Sequence, residues 1–292
     1  YYYLDNIPSH YYMQMLYKYP QQPFPYEQLR EENRKRSKLE PEYEILDTGI
    51  FNENKYFDVY ITYAKYSKKD IAIKIEIINR GKNAAPITVL PTLWFYNRWQ
   101  QYDDLDKKKP VIKEINHHAV KATHQRLGSY YLYFPKTKDR FFTENETNKE
   151  KLFGTPNDTL FVKDAFNDAV VEQKNREAVR RNKKGTKFSP VYHLKIPGGG
   201  SKTIHLRLSD MPMDAPFSKG FENIFTQRKK EADEFYQEIL PKNISEDLKN
   251  IQRQAFAGLL WSKQYYHYDI EKWINGPYDI KDLGDHRKKG RN

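Results

Sequence analysis

Ile71, Ile73, Ile75 and Ile77 alternate with Ala72, Lys74 and Glu76, so an extended backbone gathers four isoleucines on one face. The same period of two recurs along the chain. Val59, Ile61 and Tyr63 oppose Asp58, Tyr60 and Thr62. Tyr192, Leu194 and Ile196 alternate with His193 and Lys195, and Ile204, Leu206 and Leu208 with His205 and Arg207. Each run reads as a half-buried antiparallel strand. Further strands are expected over 1–6, 9–17, 41–47, 86–96 and 129–135. Turn chemistry separates the runs: Asn79, Arg80, Gly81, Lys82 and Asn83 in one place, Pro197 to Gly200 in another. Strands of this length and spacing predict two packed sheets, an antiparallel β-sandwich over 1–216.

Two stretches break the pattern. Residues 26–37 read as one short helix. Residues 145–190 alternate little and contain Gly154, Pro156, Gly185 and Pro190, so they read as a long excursion from the sheets, of a kind that is either functional or partly disordered.

The period then changes. Phe221, Phe225, Ala232, Phe235 and Ile239 fall on one face of a helix expected over 219–239. Pro241 stops it, and Ser245 caps a second helix over 245–267. Ile244, Leu248, Ile251, Ala255 and Leu259 make an apolar stripe along that helix, widened by Phe256 and Leu260. A stripe this broad calls for other helices to cover it. The expected organisation is a β-sandwich at 1–216, a linker helix at 217–243 and the start of a helical domain at 244–292. Tyr1 stands where a Met would begin a chain, and LWSKQYYHYDIEKW at 260–273 precedes only a basic tail. Both ends therefore read as cut, and the chain as an internal piece of a larger protein.

Composition narrows the function classes. No Cys occurs, which removes a disulfide framework and a thiolate zinc site and favours a reducing, cytoplasmic setting. No run approaches the roughly 18 apolar residues of a membrane span. The net charge of +11 raises nucleic acid as a partner. Its excess is dispersed over Arg34–Lys38, Arg176–Lys187 and Arg287–Arg291, with no recognition motif beside any run, so these read as solvated surface.

Candidate chemistry is sparse. Glu144 and Glu146, two apart in FFTENETNKEKLFGTPN at 141–157, imitate the carboxylate pair of a glycosidase. The competing reading, a polar loop whose amides satisfy local backbone groups, carries more weight. Asn145, Asn157 and Asn243 each begin a glycosylation sequon, a short pattern of little specificity. Trp94 and Trp99 lie in LPTLWFYNRWQ; core packing is the default reading, and Trp99 is a possible sugar-stacking ring. His117, His118, His124, His193 and His205 lack metal-ligand spacing, and Gly198–Gly200 lies between strands, where no phosphate loop forms. No catalytic triad, metal or cofactor is indicated.

Six segments in order resemble a known family. They are YYYLDNIPSHYYMQMLYKYPQ at 1–21, YEILDTGIFNENKYFDVYITYAK at 43–65, LPTLWFYNRW at 90–99, FTENETNKEKLFGTPN at 142–157, FVKDAFNDAVV at 161–171 and RQAFAGLLWSKQYYHYDIEKW at 253–273. Together they are similar to the bacterial glucosidase-type proteins of glycoside hydrolase family 63, relatives of mannosylglycerate-hydrolase-like enzymes. The resemblance implies an N-terminal β-super-sandwich, a helical linker and the first helix of an (α/α)6 barrel. It implies an inverting mechanism whose two carboxylates lie in the barrel, beyond Asn292. Catalytic residues are therefore not expected in this chain.

Two function classes follow. In the first, the chain is the non-catalytic N-terminal portion of an α-glucosidase-type hydrolase acting on an oligosaccharide or glucoside. Glu144, Asn145, Asn148, Trp99, Lys263, Tyr265 and Tyr268 are then expected near the junction with the barrel and the substrate cleft. In the second, it is a carbohydrate-binding β-sandwich module without hydrolytic activity.

Overall fold

The computed structural model describes residues 1–100, 108–263 and 270. Its elements open with strands β1 (Tyr2–Asn6) and β2 (Tyr12–Pro20), helix α1 (Tyr26–Lys35), then β3 (Tyr56–Ser67), β4 (Asp70–Asn79) and β5 (Ala85–Val89). Next come β6 (Leu93–Trp94), β7 (Val111–Asn116), β8 (Ala119–His124), β9 (Gly128–Tyr133) and β10 (Asp139–Thr143). Helices α2 (Lys149–Phe153), α3 (Ala165–Val170) and α4 (Arg176–Arg181) fill the excursion before β11 (Lys184–Gly185), β12 (Lys187–Ile196) and β13 (Ser201–Ser209). Helices α5 (Phe221–Ile239) and α6 (Glu246–Trp261) follow. The architecture is mainly antiparallel β with C-terminal helices, as the alternation predicts. The chain divides into two units, one of Tyr1–Val89, Leu132–Lys136 and Tyr192–Ser262, the other of Leu90–Tyr131, Thr137–Val191 and Lys263–Asn292.

In the first unit, β1, β2, β3, β4 and β13 pair antiparallel in that order, and the C-terminal half of β12 pairs with β5. The register puts Gln14, Thr62, Lys74 and His205 in one cross-strand row. One face of this sheet buries Phe57, Val59, Ile75, Ile77, Ile204 and Leu206. On the other, Ala64 and Ala72 have no exposed surface and lie under Phe221, Ile224 and Phe225 of α5. Alanine at both places lets the helix approach the sheet, and each large side chain so buried contributes about 1.5–3 kcal/mol. Further along α5, Ala232 and Tyr236 pack with Ile7 and Tyr12, and the Tyr236 hydroxyl donates to the Asn6 carbonyl. Ile239, expected on the buried face, is exposed, because Tyr236 takes that place.

Helix α6 lies along β1. Trp261 stacks on Tyr3 at 5.3 Å between ring centroids, and its Nε1 donates to the Asp5 carbonyl at 3.1 Å. Arg253 reaches Asp5 and Asp233 at 2.5 and 2.7 Å. Ser245 caps the helix by accepting from the Leu248 amide at 3.2 Å. Leu248, Ile251 and Leu259, part of the sequence stripe, face away and are more than half exposed.

In the second unit, β9, β8, β7 and β11 are neighbours, and β10 and β6 pair with the N-terminal half of β12. Phe141, Phe166, Ala169, Val179 and Val191 form its core.

Several sequence expectations need correction. Residues 41–47 form no strand; a 3-10 turn runs from Ile45 to Thr48, held by reciprocal capping between Glu44 and Asp47 and closed by Gly49 at φ 69°. The run 86–96 splits into β5 and the two-residue β6, with Pro91 between them. Strands β7, β8 and β10 were not signalled as such. Every residue of β10 is buried, so it has no alternating pattern to read.

Candidate functional site

Three stretches of the second unit converge on Lys109: residues 95–100, the segment after β10, and Thr186 between β11 and β12. Lys109 Nζ stands 2.7 Å from Glu146 Oε1 and 3.1 Å from Glu144 Oε2. Trp99 Nε1 donates to Glu146 Oε1 at 2.8 Å, and Thr186 Oγ1 donates to Glu144 Oε2 at 2.7 Å. The Lys109 ammonium also lies 5.8 Å from the Trp99 ring centre, a cation–π contact. Burial pulls the Lys109 pKa down, but hydrogen bonds and negative charge from Glu146 and Glu144 outweigh it, and the net shift is upward. The lysine therefore stays charged between the two carboxylates.

The surrounding amides are committed in the same way. The Asn145 backbone amide donates to Thr186 Oγ1 at 2.7 Å, and its side-chain Nδ2 donates to the Phe95 carbonyl at 2.9 Å. Asn148 is the N-cap of α2: its Oδ1 accepts from the Lys151 amide and from Asn157 Nδ2, both at 3.0 Å. Its Nδ2 donates to Asp164 at 3.0 Å. Lys149 and Gln100 both reach Asp158, at 2.8 and 3.2 Å.

This geometry decides what the pair Glu144/Glu146 can do. Inverting hydrolysis needs one protonated carboxyl, one ionised carboxylate, and room between them for substrate and water. Here one ammonium occupies the space between the two side chains and donates to both. The arrangement is a structural clasp that ties the 144–148 loop to the 95–100 stretch.

Of the residues singled out from sequence, Glu144, Asn145, Asn148 and Trp99 share this polar cluster. Lys263 is exposed at the end of α6. Tyr265 and Tyr268 lie outside the described residues. Sequence reading missed Lys109 and Thr186. Lys109 lies in the short basic run Lys107–Pro110, which carries no local motif. Lys187 was read as solvated, yet its Nζ donates to the Lys163 carbonyl at 2.7 Å and lies 4.4 Å from the Phe166 ring centre. Burial lowers its pKa, with Asp164 opposing and Lys163 reinforcing the shift. Among the described residues no group of His, Cys, Asp or Glu is placed to hold a metal ion, and no helix is long and apolar enough to cross a membrane.

The fold and this cluster define a mainly antiparallel β chain carrying a lysine–carboxylate clasp in which Glu146 is the buried partner. No protein-family profile matches the chain. It is 34% identical over 337 residues to an uncharacterized Saccharomyces cerevisiae protein, YMR196W, with all of this chain aligned. The chain spans 31% of that relative's length. Among solved structures, a putative kojibiose phosphorylase from human microbiome superposes with a TM-score of 0.31 at 10% identity, over 70% of this chain and 21% of that one. A superposition that loose carries no argument about fold or activity.

Proposed function

We propose that this chain is the non-catalytic β portion of a larger inverting glycoside hydrolase of the α-glucosidase type, acting on an oligosaccharide or small glucoside. The six ordered segments resembling glycoside hydrolase family 63 motivate the reading. The observation that carries it is the two-sided character of α6. One side is seated on β1 through Trp261 and Arg253, while Leu248, Ile251 and Leu259 on the other side are 52, 54 and 71% exposed. An exposed apolar face of this kind marks an interaction surface, and in this reading the further helices of an (α/α)6 barrel cover it. The clasp at Lys109 supports the same assignment, since it engages the two carboxylates that could otherwise imitate an acid–base pair. The chemistry then belongs to carboxylates of the barrel.

Within that reading, Glu144, Asn145, Asn148 and Trp99 hold a loop at the barrel junction, and Lys263, Tyr265 and Tyr268 border the substrate cleft. Assays of the whole protein and of this chain, side by side on a nitrophenyl α-glucoside and on α-linked glucose disaccharides, test it. The expected outcome is turnover by the whole protein and none by this chain. In the whole protein, Tyr268→Phe should raise KM or lower kcat by about tenfold, roughly 1.4 kcal/mol. Turnover by this chain that vanishes in Glu144→Gln or Glu146→Gln would overturn the proposal.

One observation favours a second reading, a carbohydrate-binding module. Trp94 is 57% exposed on β6, as a sugar-stacking ring must be. Oligosaccharide binding by this chain alone, abolished by Trp94→Ala, would select that reading.

A further inference from the structure

The basic run after Arg176 is a built pocket in the second unit. Lys138, Arg140, Glu177, Arg180, Arg181 and Lys183 line a cavity of about 370 Å³. Five of the six are cations. Two carboxylates fix three of these cations, Arg140, Arg180 and Lys183, in place. Glu114 accepts from Arg140 Nε and from Lys183 Nζ, both at 3.1 Å. Asp139 is approached by Arg176 Nη2 at 2.5 Å and by Arg180 Nε at 3.4 Å. Burial pushes the Glu114 pKa up, but the hydrogen bonds and charges of Arg140 and Lys183 prevail, and the net shift is downward. The anchor is therefore ionised at neutral pH.

Arg140 distinguishes this site from a solvated charge run. It is 8% exposed and lines the cavity. Its Nε is held by Glu114 and its Nη1 donates to the Thr137 carbonyl at 2.8 Å. Both bonds hold the guanidinium in one orientation. Burying a guanidinium is costly unless its donors find acceptors. Lys138 and Arg181, both exposed, add charge at the rim. With Arg176 included, six cations face three carboxylates, which leaves three positive charges in excess, more than enough to offset a dianion.

We propose that this pocket binds a tetrahedral dianionic oxyanion, the phosphate group of a small molecule. Guanidinium forks grip phosphate oxygens through paired charge-assisted hydrogen bonds. The cavity volume suits a sugar-sized ligand. A nucleic acid fits less well, because none of the lining residues is an aromatic on which a base could stack. The inference is independent of the hydrolase reading.

Calorimetric titration of the chain at low salt tests it, with inorganic phosphate, glucose 6-phosphate, glucose, sulfate and a single-stranded RNA as probes. Phosphate and glucose 6-phosphate should bind, and glucose should not. Tighter binding of the ester indicates a phosphorylated small molecule, and equal binding indicates free phosphate. The exposed double variant Lys138→Gln/Arg181→Gln should weaken binding about tenfold with an unchanged thermal melt. Because a phosphate monoester loses its second charge below about pH 6, its binding should weaken toward pH 5 while that of sulfate does not. Three results would overturn the proposal: no binding at about 10 mM phosphate, unchanged affinity in the double variant, or RNA binding much tighter than glucose 6-phosphate with a steep salt dependence.

Discussion

Lys109 Nζ lies 2.7 Å from Glu146 Oε1, joining a lysine side chain that is 36% exposed to a carboxylate that is 4% exposed. The asymmetry sets the consequence of breaking the pair. The net worth of such a bridge is small, but removal of one partner strands the buried one. Lys109→Met should cost about 1–3 kcal/mol at neutral pH, because Glu144 and Glu146 then face each other without a counter-charge. Urea denaturation at neutral pH checks the magnitude, and stability indistinguishable from the wild type would refute the clasp.

His205 gives the fold a mild acid sensitivity. Its Nε2 stands 2.7 Å from Glu222 Oε1, and Lys74 Nζ lies 3.4 Å from the other oxygen of the same carboxylate. Burial lowers the His205 pKa; Glu222 opposes the shift and Lys74 adds to it, for a net lowering. A histidine whose charged form is disfavoured by folding takes up protons first in the unfolded chain. Its contribution is thus complete above about pH 6.5 and is lost as the pH falls through the folded value. The melting temperature should drop between pH 7 and pH 5 by more in the wild type than in His205→Gln.

Asn148 serves three partners at once: the Lys151 amide, Asn157 and Asp164. Asn148→Ala removes the N-cap of α2 and should cost about 1–2 kcal/mol. Amide exchange should rise across 148–164 while the strands of the first unit keep their protection. Unchanged exchange there would count against the cap.

Gly198 allows two backbones to approach. A Cβ built on it would meet the Lys82 carbonyl oxygen at 2.0 Å and the Asn83 nitrogen at 2.9 Å. Neither atom belongs to a flexible side chain, so Gly198→Ala must displace the turn. We expect a loss of at least about 3 kcal/mol, at the severe end of single substitutions. Gly199→Asn, at φ 69° with open space around it, should be tolerated far better.

Trp261 joins α6 to β1 through Tyr3 and the Asp5 carbonyl, and to β3 through Tyr63. Trp261→Ala should cost about 3 kcal/mol and release the helix, seen as a loss of helical circular dichroism before the sheet unfolds. A single cooperative transition with unaltered helicity would contradict that docking.

The strands with one wet face were readable from their residues. Ile71, Ile73, Ile75 and Ile77 alternate because one side of β4 buries Ile75 and Ile77 while the other leaves Lys74 and Glu76 partly in water, and the paired rows in β3 and β13 repeat the signal. Asp139 to Thr143 gave none, since both sides of β10 are dry. Residues 41–47 carried a false one, because Tyr43 and Ile45 alternate with acids that in fact cap a 3-10 turn.

The site divides in the same way. Glu144, Asn145 and Asn148 were recognisable as a dense polar loop from local sequence alone. Their partners were not: Lys109 and Thr186 lie 35 and more residues away, the first in a short basic run without a motif and the second inside a run that reads as solvated surface. Period and turn chemistry are local, so the sequence by itself determined an antiparallel β chain followed by amphipathic helices. Whether a lysine is solvated or clasped, and whether a basic run is a face or a pocket, depends on groups brought together by strand pairing. Coulomb and hydrogen-bond energies act over a few ångströms of space, whatever the distance along the chain, so only the tertiary structure decided those questions.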